Sequence, residues 1–237
     1  MVDRAGAGGA RRALVGKSGP KALQGVPEPP ATLHITRHIW KAGKRLHRVH
    51  LERYAAEAFN PGLKGDARFS PILDAAGTAI PTVYGGDTFE CAAMETVFHD
   101  VPFAPGFKSF DKRKLTGQLH SVLLPRVDLT LADLRNVPLR KLGVERKRLI
   151  DTEKDTYPQT RKWAVAIHHQ HADVQGLCWT SRQDDRALAA VLFGDRIAAG
   201  SLAWQSPSRS LFDEGAAYDE LLGLAEVIGV CVVAGPA

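Results

Sequence analysis

Short strands, few helices and an irregular order of the two predict an α+β domain. Its sheet is mixed or mostly antiparallel, with flanking helices. Three observations lead there. Apolar runs of strand length recur at residues 46–50, 80–84, 118–124, 176–183, 188–193 and 230–233. Helical periodicity is confined to a few stretches, the clearest being 88–99, 157–171 and 211–228. There is no internal repeat, and no Gly-x-Gly-x-x-Gly or Walker-type glycine loop to announce a nucleotide-binding βαβ unit.

The 237 residues suit one well-buried domain, and 44% hydrophobic with 24% charged residues is ordinary for a globular chain. Residues 1–30 are rich in Gly, Ala, Pro and Lys/Arg and have few large apolar side chains. They are expected to form a flexible basic tail ahead of a single domain at 31–237. The net charge of +5 is uneven: residues 1–50 hold ten Lys/Arg against Asp3 and Glu28, a surplus of +8, which leaves −3 for the remainder. A slightly acidic body argues against specific nucleic-acid binding by the folded part, while a basic tail attracts polyanions weakly. No apolar run reaches the roughly 18–20 residues of a membrane span, and the N-terminus carries no secretory pattern, so a cytoplasmic location is expected. Cys91, Cys178 and Cys231 lie in apolar contexts without paired spacing and read as buried free thiols.

Taken in order, Leu46-His47-Arg48-Val49-His50 alternates as a first strand. Asn60-Pro61-Gly62 breaks the chain, and Lys64-Gly65-Asp66 leads to Arg68-Phe69-Ser70-Pro71. Ile80 to Tyr84 reads as a strand closed by Gly85-Gly86. Asp87 or Thr88 then caps a helix expected to run through Glu95 to about His99. Phe89, Ala92, Ala93, Thr96 and Val97 share one face of that helix, which puts Glu95 at the edge of the buried stripe. Beyond an irregular, proline-bearing stretch, 118–124 is a strand and short helices are expected at 129–136 and 141–150. The run Arg146-Lys147-Arg148 reads as a solvated face. Residues 157–171 form a helix with Trp163, Ala164, Ile167 and His171 on one side. His168, His169 and His171 stand there without a Cys, Asp or Glu at metal-site spacing, so no metal is expected. A strand at 176–183 turns at Ser181, 188–193 is strongly apolar, and 211–228 holds a helix with Tyr218, Leu221, Leu222 and Ala225 as its apolar face. A last strand, 230–233, closes the chain.

Arg68, Tyr84 and Glu95 thus come from a loop, a strand end and a helix that should pack together. By spacing alone they could equally be a surface ion pair beside a half-buried aromatic. The stretch resembles the core of the RES-domain family, named for Arg, Glu and Ser. The matching pieces are Ala67-Arg68-Phe69-Ser70-Pro71, Val83-Tyr84 and Met94-Glu95-Thr96-Val97-Phe98-His99, together with Arg48 in the first strand and Ser181 after Gly176-Leu177-Cys178-Trp179-Thr180. The chain departs from the family pattern in having Ala67 where a glycine usually precedes the arginine, and in a longer segment between Arg68 and Tyr84. The resemblance implies a fold like that of ADP-ribosyltransferases and degradation of NAD⁺. It also implies a role as toxin of a bacterial toxin–antitoxin pair, and an Xre-type antitoxin with which the protein forms an oligomeric complex.

The implied chemistry is physically coherent. Cleaving the nicotinamide–ribose bond builds positive charge on the ribose carbon, as in glycoside cleavage, and Glu95 is the candidate carboxylate to stabilise it. Arg48 and Arg68 are candidates for the pyrophosphate, because a guanidinium offers forked donors. Tyr84 is a candidate platform for the nicotinamide ring, and Ser181 for a polar contact to substrate, with a turn-capping role as its simpler reading. NAD⁺ would be substrate rather than cofactor, and water or inorganic phosphate the acceptor. Transfer of ADP-ribose to a protein is the enzymatic alternative; it often uses an acidic residue two before the catalytic Glu, where this chain has Ala93. A non-catalytic module that binds a phosphate ligand or nucleic acid is the alternative from outside enzymology.

Overall fold

The structure, a computed structural model, describes residues 25–235. In chain order the elements begin with β1 (Arg37–Trp40), β2 (Leu46–Leu51), β3 (Ile72–Leu73), β4 (Ala79–Ile80), β5 (Thr82–Gly86) and α1 (Phe89–Met94). Next come β6 (Lys108–Asp111), β7 (Gln118–Pro125), β8 (Leu129–Asp133), α2 (Asn136–Leu142), α3 (Arg146–Leu149) and α4 (Tyr157–Gln170). The chain ends with β9 (Gly176–Thr180), β10 (Leu188–Phe193), β11 (Leu202–Trp204), β12 (Arg209–Ser210), α5 (Ala216–Val227) and β13 (Val230–Val233). The expected α+β class is what these elements build.

One nine-stranded sheet dominates, in the order β1-β8-β9-β10-β5-β2-β7-β11, with β12 also on β7. Every pairing in it is antiparallel except β8 with β9. β6 and β13 form a separate parallel pair, and β3 with β4 a small hairpin. Because side chains alternate across a strand, the two faces bury different sets. Trp179, Ala189 and Val191 face a core built with α4 through Trp163, Ala164 and Ile167. Leu46, Val83, Cys178, Ala190 and Leu192 pack on the opposite face. Phe89, Ala93 and Phe98, from α1 and the segment after it, pack with Leu221 and Ala225 of α5 in a third cluster.

Several elements differ from expectation for identifiable reasons. Residues 129–136, expected as a helix, are largely strand: Leu129 and Leu131 alternate with Thr130, and β8 is enclosed between β1 and β9. Gly85 and Gly86 do not end their strand but continue it. A Cβ at Gly85 would lie 2.7 Å from the His47 carbonyl oxygen, and one at Gly86 2.7 Å from the Cys91 sulfur. The glycines therefore let β5 approach β2 and α1 sit directly on the sheet. α1 ends at Met94, short of His99, and Thr96 is exposed. Leu222 is exposed on α5, whose buried residues are Ala217, Leu221 and Ala225. Cys91 and Cys178 are buried, but Cys231 is exposed on the edge strand β13. Residues 1–24 of the expected tail lie outside the described residues. Its last part, 25–30, is tied to the domain: the Trp163 indole N–H donates to the Pro27 carbonyl at 2.7 Å and Arg148 donates to the Gly25 carbonyl. No described helix is long and apolar enough to cross a membrane.

Candidate active site

A cavity of about 380 Å³ opens over the sheet face that carries Val49, Tyr84, Trp179 and Ala189, beneath the end of α1 and the start of α4. Three of the sequence-predicted residues meet there: Arg68, Tyr84 and Glu95.

Arg68 sits on the loop between β2 and β3, and that loop is stitched to two elements. The Thr160 hydroxyl on α4 donates to the Arg68 carbonyl, and Arg161 Nε donates to the Ala67 carbonyl at 3.1 Å. From the other side the Phe69 amide donates to the Tyr84 hydroxyl at 3.1 Å. Arg68 itself is 4% exposed, yet its Nε and Nη2 find no hydrogen-bond partner among the described residues. Its guanidinium lies 5.6 Å from the Tyr157 ring centre, a cation–π contact that supplies no acceptor for those N–H groups. Buried donors are nearly always satisfied. Arg68 lines the cavity with two N–H groups unspent, though both nitrogens are themselves buried, and a forked cation is the group suited to a multi-oxygen anion.

Tyr84 is half-buried, and its ring stands edge-on to Trp179 with centres 6.3 Å apart. Burial pushes its phenol up to about 12, so it stays neutral and works as an aromatic wall and hydrogen-bond anchor. Glu95 is the C-terminal cap of α1 and is half-buried at the predicted edge of the apolar stripe. Its Oε1 accepts from the Ser181 hydroxyl at 2.7 Å. Thr88, whose side chain accepts from the Cys91 amide at 3.0 Å, starts that helix and so fixes where Glu95 emerges.

Two predicted residues are placed otherwise. Arg48 does not line the cavity. It alternates with Val49, so it points to the opposite face of β2, where it is 8% exposed and donates to the carbonyls of Ala56 (2.5 Å) and Ala58 (2.8 Å). Burial pulls its guanidinium down to about 10. It fastens the 56–58 turn rather than facing a ligand there. Ser181 is fully buried and its hydroxyl is saturated: besides donating to Glu95 it accepts from the amides of Gln183 (3.0 Å) and Asp184 (2.9 Å). It caps a turn and positions Glu95, with nothing left to offer a substrate.

Other residues of the wall were given no role in the sequence analysis: Tyr157, Asp66, Lys154 and Asp100, with His99 and Trp179 present there only as members of the matching segments. Asp66 pairs with Arg161, and Lys154 with Asp100 at 2.9 Å. Arg68 is thus a cation of this wall with no carboxylate in ion-pair range among the described residues. The histidines of α4 are used structurally: His168 Nε2 meets Asp195 at 2.8 Å and His171 Nε2 the Leu33 carbonyl at 3.1 Å. Among the described residues no three His, Cys, Asp or Glu side chains are grouped to hold a metal.

The RES domain family matches residues 45–211, about seven-tenths of the chain and all of the cavity described above. The chain belongs to the RES-domain family. No curated protein matches it. Among solved structures, this RES domain is similar to a chain of the MbcT–MbcA toxin–antitoxin complex of M. tuberculosis. That match has 15% identity over 69% of this chain and 81% of the other, with a TM-score of 0.49.

Proposed function

We propose that this RES domain cleaves the nicotinamide–ribose bond of NAD⁺ and serves as the toxin of a toxin–antitoxin pair. The observation that carries the proposal is the buried Arg68, with Nε and Nη2 unpartnered in a wall shared with a carboxylate held at a fixed position. Arg68 binds the pyrophosphate, Tyr84 borders the nicotinamide ring, and Glu95 faces the ribose carbon on which positive charge develops. A carboxylate aimed at that carbon interacts more strongly with the transition state than with the ground state. Ser181 holds Glu95 in place by donating to it.

Transfer of ADP-ribose to a protein is less well supported. Ala93, two residues before Glu95, is fully buried in the core, so a second acidic group at that position would not reach the cavity. The acceptor is water or inorganic phosphate. An unrestrained NAD⁺-consuming enzyme would deplete its cell, so an inhibitor is expected to cover the cavity; the family resemblance makes it an Xre-type protein from the neighbouring reading frame.

The test is to incubate purified, inhibitor-free protein with NAD⁺, with and without phosphate, and follow nicotinamide. Release under either condition supports the reading, and none under both sinks it. Adding the neighbouring frame's product at saturation should stop the release.

A further inference from the structure

Next to Glu95's helix the cavity wall holds a hydrogen-bonded chain that the roles above leave unused. His99 Nδ1 lies 2.7 Å from Asp100 Oδ1, and Asp100 Oδ2 accepts from Lys154 Nζ at 2.9 Å. A carboxylate only accepts, so Nδ1 carries the hydrogen, and in the neutral ring the lone pair is on Nε2. Among the described residues the one hydrogen-bond partner of that Nε2 is the Tyr157 hydroxyl at 3.5 Å, the outer limit of a hydrogen bond. His99, Asp100, Lys154 and Tyr157 all line the cavity of Arg68 and Glu95, and the His99 side chain is 18% exposed.

One turn fixes both groups. Ser181 donates to Glu95, and Gln183, two residues on, donates from Nε2 to the His99 carbonyl at 3.1 Å. The imidazole is thus backed by an anion through Nδ1, and its loosely engaged Nε2 belongs to a residue lining the cavity of Arg68 and Glu95. That is the arrangement a general base requires.

We infer that His99 is the catalytic base that takes the proton from the acceptor hydroxyl, water or dihydrogen phosphate. This rests on the NAD⁺ cleavage proposed above. The acceptor oxygen bonds to the ribose carbon as the carbon–nitrogen bond to nicotinamide breaks. The bonding pair goes to the ring nitrogen and neutralises its positive charge, and the acceptor's proton passes to His99 Nε2. Asp100 faces the resulting imidazolium and stabilises it, while Lys154 keeps Asp100 ionised. Tyr157, under the Arg68 guanidinium, yields its weak contact to the acceptor. The base then loses its proton to solvent and the cycle closes.

The experiment compares wild-type protein with His99→Ala and Asp100→Asn, scoring nicotinamide release in phosphate and in phosphate-free buffer, with and without added imidazole. NAD⁺ affinity is measured separately by titration calorimetry. His99→Ala should lose about 10²–10⁴ in kcat at unchanged NAD⁺ affinity, and imidazole should restore part of it. Asp100→Asn, at an exposed residue that leaves the fold intact, should lose roughly tenfold by releasing the ring's orientation. Mass analysis of the sugar product tells water from phosphate, and either product supports the base. Near wild-type kcat in both variants overturns the inference and leaves the NAD⁺ reading standing. A slowed His99→Ala that imidazole does not rescue also overturns it, because the histidine then only holds structure. An inactive wild-type protein overturns the NAD⁺ reading and the inference with it.

Discussion

Arg48 and Arg68 are one residue type at nearly one depth, 8% and 4% exposed, on opposite sides of the same sheet. Arg48 spends its donors on two backbone carbonyls of the turn it closes. Arg68 keeps two nitrogens free in a cavity wall. Burial therefore does not separate a structural cation from a functional one; the state of its donors does. Leaving a buried charged donor unmatched costs stability, and a fold keeps that cost where a ligand repays it. The same contrast divides the hydroxyl of Ser181, which is saturated, from the lone pair of His99, which is only loosely engaged.

His99 aside, the largest effect should come from the carboxylate that shares the cavity with Arg68. Glu95→Gln keeps the size and the acceptor oxygen for Ser181 but removes the charge. Turnover should fall by about 10²–10³ with KM for NAD⁺ near the parent value, since the interaction exists mainly in the transition state. Steady-state kinetics beside a melting curve checks this. Parental turnover in a folded variant would move the catalytic carboxylate elsewhere.

The two arginines provide the direct contrast. Arg48→Ala strips the acceptors at Ala56 and Ala58 of their partner and opens a void, at a cost of about 2 kcal/mol. Its Tm should drop by roughly 4–8 °C with KM unchanged. Arg68→Ala removes a cation that is already unmatched, so Tm should hold or rise while KM for NAD⁺ climbs. Arg68→Lys keeps the charge without the fork, and KM should rise at least as much as kcat falls. The comparison would collapse if both alanine variants lost stability alike.

A smaller effect is expected at Ser181. Ser181→Ala orphans the amides of Gln183 and Asp184 and frees Glu95, with a stability loss of about 1–2 kcal/mol and a several-fold drop in kcat. KM should not move, because the hydroxyl has no donor or acceptor to spare. A rise in KM without loss of stability would return Ser181 to substrate contact.

Much of this site was legible in the sequence. The stripe of α1 put Glu95 at its edge, where it stands, and the loop–strand–helix order brought Arg68, Tyr84 and Glu95 to one cavity. What escaped depended on non-local geometry. Strand alternation does not say which face looks at the cavity, and Arg48, a candidate for the pyrophosphate, lies on the other face. The Gly85-Gly86 pair reads locally as a stop, yet its role is set by strand and helix backbones that arrive from elsewhere. Residues 129–136 have a composition open to either element, and only the neighbours β1 and β9 decide for a strand. The His99–Asp100 pair was visible as adjacent letters, but Lys154 and Tyr157, which give it meaning, lie more than fifty residues away.

The mildest test concerns a base on the satisfied side. His120 on β7 is 1% exposed and every nitrogen is engaged: Arg209 Nη2 donates to its Nδ1 at 2.9 Å, so the hydrogen sits on Nε2 and points to His47 Nδ1 at 3.0 Å. Burial, and after it the neighbouring His47 and Arg209, pull its pKa down to about 3. A histidine whose folded value lies below its unfolded value of about 6.5 gives stability that is fully present above that pH. It is lost as pH falls from about 6.5 toward 3, because the unfolded chain binds the extra proton. The slope is at most about 1.4 kcal/mol per pH unit for one such group. His38, His47, His50 and His168 are also lowered, with burial the largest cause in each, and act in the same direction. Urea unfolding should therefore show a plateau above pH 7 and a loss on the order of 1 kcal/mol or more by pH 5.5. His120→Gln, less stable at neutral pH, should flatten part of that slope. If the variant kept the full parental slope, His120 would not be the neutral, saturated group described here, and the rule that full donors mark structure would fail at the site where it is simplest to check.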